Sequence, residues 1–97
     1  MTYEVLLSEA ARDYVHALDE KSRRIVTDNL RKLEDDPHPR PRSGSGDKER
    51  LTVQDEELCR LHVGRTHTAF YVIKESTQEV RVVDVMTIDE AHDRYGV

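Results

Sequence analysis

The sequence contains one cysteine, no tryptophan, one phenylalanine and two methionines. A single thiol, Cys59, can neither form an internal disulfide nor supply a thiolate zinc cluster, so both staples common in small domains are closed to this chain. Its core must hold by packing alone. No apolar run approaches the roughly 18 residues that cross a bilayer, and Met1-Thr2-Tyr3-Glu4 lacks the basic start and apolar stretch of a secretory leader. These absences predict a cytoplasmic protein with no membrane partner. Length is equally restrictive: 97 residues, 36% of them apolar, suffice for one two-layer domain over residues 1–97 and leave no room for a separate cofactor domain.

Basic residues are outnumbered, 15 against 20 acidic, and the net charge of -5 argues against a protein whose whole surface grips nucleic acid. The average hides an asymmetry. Residues 37–74 carry seven basic and five acidic side chains, while the remainder carries eight and 15. Only the middle of the chain suits a polyanion. Only four of the basic residues are lysines, and this scarcity with the acid excess resembles proteins adapted to high salt.

The chain opens with a β-prone run, residues 3–7, ending at Ser8, a good N-cap. Ala11, Tyr14, Val15 and Leu18 then recur three or four apart and predict a short amphipathic helix over 9–18. Asp19 offers a second cap, and Ile25, Val26, Asn29, Leu30 and Leu33 continue the helical period over 20–35. The two helices should form an antiparallel hairpin. Three prolines and Ser43-Gly44-Ser45-Gly46 predict a loop over 38–47. Beyond it the period changes to two: 50–53, 58–64, 66–73 and 80–87 are rich in Val, Ile, Thr and Tyr. With turns at 55–57, 64–65 and 75–77 they predict a four-strand antiparallel meander, and Asp89 can cap a last helix through Tyr95. The fold class is α+β, in the order β-α-α-β-β-β-β-α, with the sheet covered on one face by the helix hairpin.

Alternation along 58–64 puts Cys59, Leu61 and Val63 on a buried face and Leu58, Arg60 and His62 on the other. Across a two-residue Gly64-Arg65 turn, His67 should join Arg60 and His62. Cleavage of a phosphodiester needs a cation for the charge developing on the phosphate, a base for the nucleophile and an acid for the leaving oxygen. Arginine and histidine supply all three. His62, His67 and His92 lack metal-ligand spacing, so neither metal nor cofactor is expected. Arg40, Arg42, Lys48 and Arg50 flank the Gly/Ser loop and, with Arg65, are candidate phosphate contacts. His92 and Tyr95, three apart on the last helix, pair a proton-transfer group with a ring that can stack on a base.

Leu58-Cys59-Arg60-Leu61-His62-Val63-Gly64-Arg65-Thr66-His67-Thr68-Ala69-Phe70-Tyr71, within this element order, resembles the RelE/ParE toxin superfamily. Members commonly show a stretch like Y-R-L-R-V-G-D-Y-R-V-I-Y there, after a lysine-leucine pair that Arg50-Leu51 replaces here. The ending Ile88-Asp89-Glu90-Ala91-His92-Asp93-Arg94-Tyr95-Gly96 looks like the archaeal, particularly haloarchaeal, branch. The resemblance implies the toxin of a type II toxin-antitoxin pair, a metal-independent endoribonuclease that cuts mRNA on the ribosome and is neutralised by a cognate antitoxin. It places Arg60, His62, His67 and Tyr95 at the family's functional positions, with His92 added as an acid from the residue chemistry. His62 and His67 stand where the family has permanent cations, so their charge depends on pH. Two other readings share the fold: a ParE-like toxin that inhibits DNA gyrase without cutting RNA, and an inactive relative that only binds an antitoxin.

Overall fold

Ser8 closes the first strand and opens the first helix. Its Oγ accepts from the Ala11 amide at 3.1 Å and donates to the Val83 carbonyl at 2.9 Å, so one hydroxyl caps the helix and ties it to a strand 75 residues away. The computed structural model describes residues 2–38, 48–53, 56–64 and 66–95. Within them run β1 (Glu4–Leu7), α1 (Glu9–Ala17), α2 (Glu20–Arg31) continuing into a 3-10 turn (Lys32–Glu34), β2 (Lys48–Val53), β3 (Glu56–Val63), β4 (His67–Lys74), β5 (Glu79–Thr87) and α3 (Ile88–Tyr95). Glu56 and Glu57 belong to β3 and not to the turn before it. Most of the expected loop, residues 39–47, lies outside the described residues.

The last helix is capped by Thr87 and not by Asp89. Thr87 Oγ1 accepts from the Glu90 amide at 3.1 Å and lies 3.3 Å from the Glu90 carboxylate, a capping-box arrangement that starts α3 at Ile88. The Ile88 amide donates to the Thr66 carbonyl at 2.8 Å and moors this end of the helix to the β3–β4 connection.

The sheet has five strands in the order β1-β5-β4-β3-β2. β2 to β5 form the antiparallel meander, and β1 adds to β5 in parallel, which makes the sheet mixed. β1 and β2 lie at opposite edges, and the α1–α2 hairpin covers the face between them. Its stripe of Ala11, Val15, Val26, Leu30 and Leu33 packs on Cys59, Leu61, Val63, Ala69, Tyr71, Val80, Val82 and Val85. Each large side chain so buried stabilises by about 1.5–3 kcal/mol. A smaller cluster of Leu58, Phe70, Met86 and Ala91, with Val72 and Tyr95 against it, fills the opposite face under α3. Helices therefore lie on both faces.

A β-bulge interrupts the ladder between β4 and β5. Phe70 pairs with Asp84 but Tyr71 pairs with Val82, so Val83 is an extra residue in β5. Alternation would have carried Asp84 to the hairpin side with Val80 and Val82. The bulge shifts the phase and turns Asp84 to the α3 side.

Tyr71 is fully buried and donates to the Pro37 carbonyl at 2.6 Å, fastening the chain after the 3-10 turn to the sheet. Tyr71→Phe leaves that buried carbonyl without its donor and should cost about 1–3 kcal/mol in urea unfolding. Burial also pushes the Tyr71 phenol well above its ordinary value of 10.0. The folded chain then keeps a proton that the unfolded chain releases, so stability falls as pH rises above the ordinary value. Unfolding midpoints at alkaline pH should fall less steeply in Tyr71→Phe.

Candidate functional site

β3 alternates as expected: Cys59, Leu61 and Val63 enter the hairpin-side core, and Leu58, Arg60 and His62 face the α3 side. Strand pairing then builds two rows across that face. Arg60 pairs with Phe70 and Phe70 with Asp84; His62 pairs with Thr68 and Thr68 with Met86. Arg60 is 8% exposed and His62 is half-buried. Along the flank runs α3, with Ala91 buried and His92 exposed. Tyr95 stacks on Phe70 with ring centroids 4.6 Å apart and its planes inclined at 49°. Its hydroxyl donates to Asp84 Oδ2 at 3.0 Å, and Arg94 Nη1 lies 3.6 Å from the same oxygen. Burial, then the hydrogen bond and charge of Asp84, push the Tyr95 phenol above its ordinary value. The face thus carries Arg60 and His62 on β3, with Glu49 of β2 at the register position opposite Arg60, and Asp84 on β5, while Asp89, Glu90 and Asp93 are exposed on α3.

His67 does not join this face. β3 ends at Val63, and Val63 pairs with His67, so three residues, 64–66, connect the strands where a two-residue turn was expected. One added residue flips every later side chain of β4 to the other face. The His67 ring instead meets the edge of Tyr14 of α1, centroids 6.0 Å apart, and lines a notch of about 120 Å³ with Ser22, Ile25, Val63, Gly64 and Thr66. Thr68 takes the place expected for His67, its buried hydroxyl donating to the Leu61 carbonyl at 3.3 Å.

Two of the candidate phosphate contacts are also placed elsewhere. Lys48, opposite Leu61, donates to the Asp36 carbonyl at 2.6 Å and sits 3.8 Å from Asp36 Oδ2, so its ammonium holds the chain before Pro37. Arg50 stands opposite Cys59, on the hairpin side. Arg40, Arg42 and Arg65 lie outside the described residues. Cys59 is a free buried thiol whose pKa burial raises, which disfavours the thiolate. Among the described residues no three His, Cys, Asp or Glu side chains gather as metal ligands, and no helix is long and apolar enough to cross a membrane. Asp84 and Phe70, central to the site, escape a reading of the sequence for different reasons: the bulge that aims Asp84 has no local signature, and the two-residue reading of the turn puts Phe70 on the wrong face of β4.

A second feature lies at the other edge of the sheet. β1, α1, α2 and the 3-10 turn line a groove of about 480 Å³, with Val5, Leu7, Val15 and Leu30 as its apolar part and Arg12, His16, Thr27, Arg31 and the acidic Glu34 as its polar part. β1 is the outer strand there, and its Leu6 is 37% exposed.

No family model matches the sequence, and no curated protein does. Solved structures do match. The archaeal RelE-RelB complex from Pyrococcus horikoshii OT3 superposes with a TM-score of 0.69 at 19% identity, covering 90% of this chain and 96% of that one. The toxin-antitoxin complex RelBE2 from Mycobacterium tuberculosis gives 0.72 at 18% identity over 90% and 99%. The YoeB/ParE toxin from Agrobacterium tumefaciens gives 0.69 at 16% identity over 87% and 96%. These neighbours belong to the RelE/ParE toxin-antitoxin family, and the chain has their α+β fold.

Proposed function

We propose that this chain is the toxin of a toxin-antitoxin pair and that it cuts mRNA, without a metal ion, on the sheet face beside α3. The observation that carries the reading is the pairing of Arg60 with His62 on the sheet face that α3 flanks with His92 and Tyr95. Arg60 stabilises the charge that develops on the scissile phosphate. With His67 on the hairpin side, His62 takes the proton from the ribose 2′-hydroxyl, whose oxygen attacks phosphorus. His92 returns a proton to the departing 5′-oxygen, leaving a cyclic phosphate. Tyr95 offers its ring to a base.

The groove at β1 is the seat of the antitoxin. An amphipathic segment can lay apolar side chains on Val5, Leu7, Val15 and Leu30, set acidic ones against Arg12, His16 and Arg31, and pair its backbone with the open edge of β1. Two of the solved neighbours are toxin-antitoxin complexes, which supports an antitoxin as the partner. Induced expression without a partner, with transcript ends and DNA topology both mapped, tests the reading. Cuts inside translated reading frames that a co-expressed antitoxin suppresses are expected, and purified protein should cut equally well with chelator present. Broken DNA with intact transcripts would refute RNA cleavage and select gyrase inhibition. That second reading is favoured by the exposed acids of α3, Asp89, Glu90 and Asp93, which repel an RNA backbone.

A further inference from the structure

The bulge at Val83 delivers a carboxylate to a place where strand alternation alone would not put one. We propose that Asp84 is the positioning residue of the sheet face beside α3: it fixes the last turn of α3 and commits the Tyr95 hydroxyl proton to the protein, so that Tyr95 meets RNA as a stacking ring and not as an acid. The RNA-facing half of this inference rests on the nuclease reading.

α3 has eight residues, too few to hold a helix in isolation, so its anchors decide where it lies. At its start these are the Thr87 cap and the Ile88-to-Thr66 hydrogen bond. At its end, two consecutive residues, Arg94 and Tyr95, both reach Asp84 Oδ2. Neighbouring side chains on a helix diverge by about 100°, so the Tyr95 hydroxyl meets the carboxylate from the sheet side while the longer, exposed Arg94 reaches round to the same oxygen. Phe70 supplies the floor on which the Tyr95 ring rests. An ionised carboxylate only accepts, and a phenol has one proton to give. With that hydrogen bond donated to Asp84, Tyr95 presents its ring face and lone pairs to a ligand. The acid must come from another group, and His92 stands three residues away on the same helix. The groups around Asp84 are Arg94 and Tyr95 from α3 and Phe70 from β4; further along the same row stand Arg60 of β3 and, at the register position beyond it, Glu49 of β2.

Asp84→Asn and Asp84→Ala test this together. Both remove the same charge, so their difference isolates positioning, because only the asparagine amide oxygen can still accept from Tyr95. Binding of a fluorescent single-stranded RNA at fixed salt should be roughly tenfold weaker in Asp84→Ala than in Asp84→Asn. The ring signals of Tyr95, identified with Tyr95→Phe, should titrate closer to the ordinary phenol value in Asp84→Ala than in the parent. Thermal unfolding establishes that each variant is folded. Equal RNA affinity in the two variants, or an unmoved Tyr95 titration in Asp84→Ala, would overturn the proposal. The titration needs no RNA and so separates two failures. If Tyr95 moves but no form binds RNA, the nuclease reading falls and Asp84 stands as the anchor of α3; if Tyr95 does not move, the Asp84 assignment falls.

Discussion

Arg60→Ala should slow cleavage of ribosome-bound mRNA by on the order of a hundred- to a thousandfold, the usual consequence of removing a preorganised donor from developing charge. Arg60 is 8% exposed, held between its strand neighbours on a sheet whose other face is packed against the hairpin. A cation so placed loses little reorganisation energy when a phosphate arrives. Arg60→Lys keeps the charge but loses the planar fork that grips two phosphate oxygens, so it should fall between parent and alanine. Removing a buried guanidinium also perturbs folding, and a melt of each variant separates lost stability from lost chemistry. A folded Arg60→Ala protein that cuts at the parental rate would refute this role.

The largest effect on stability belongs to Phe70→Ala, at about 3–5 kcal/mol in urea unfolding. Phe70 is fully buried among Leu58, Met86 and Ala91, and it is the surface on which Tyr95 rests. The cluster beneath α3 is small, so there is little around the resulting cavity that can collapse into it. A small domain has about 5–15 kcal/mol of stability in total, so the loss is a large share of it. The same substitution should unseat the end of α3 and weaken RNA binding even in molecules that remain folded. Phe70→Leu fills most of the volume and should restore most of the stability while recovering less of the RNA binding, because it offers Tyr95 no ring.

Much of this architecture can be read from periodicity. The hairpin stripe of Ala11, Val15, Val26 and Leu30 and the alternation that turns Arg60 and His62 away from Cys59 and Leu61 follow from local spacing, and both stand in the structure. Features that depend on counting residues across a turn are less accessible. Gly64-Arg65 read as a two-residue turn puts His67 beside His62, whereas the observed Val63–His67 pairing puts it against Tyr14. The Val83 bulge changes phase in the same way and hides Asp84 from any reading by alternation. Lys48 reads as a phosphate contact because nothing in the Pro-rich segment shows that the chain returns to place Asp36 beside it. The Thr87 cap, by contrast, is visible: Thr-x-x-Glu at 87–90 spells a capping box, and Asp89 draws attention from it.

In the proposed nuclease reading, RNA lies on the α3 face of the sheet. Titrating isotopically labelled protein with a short single-stranded RNA, carrying a 2′-deoxy sugar so that it cannot be cut, and following amide and side-chain NMR shifts tests this directly. The shifts should gather at Arg60, His62, Thr68, His92 and Tyr95 and leave Tyr14, His67 and Arg50 unmoved. Shifts gathered around His67 and the α1–α2 hairpin, with Arg60 and Tyr95 silent, would contradict it.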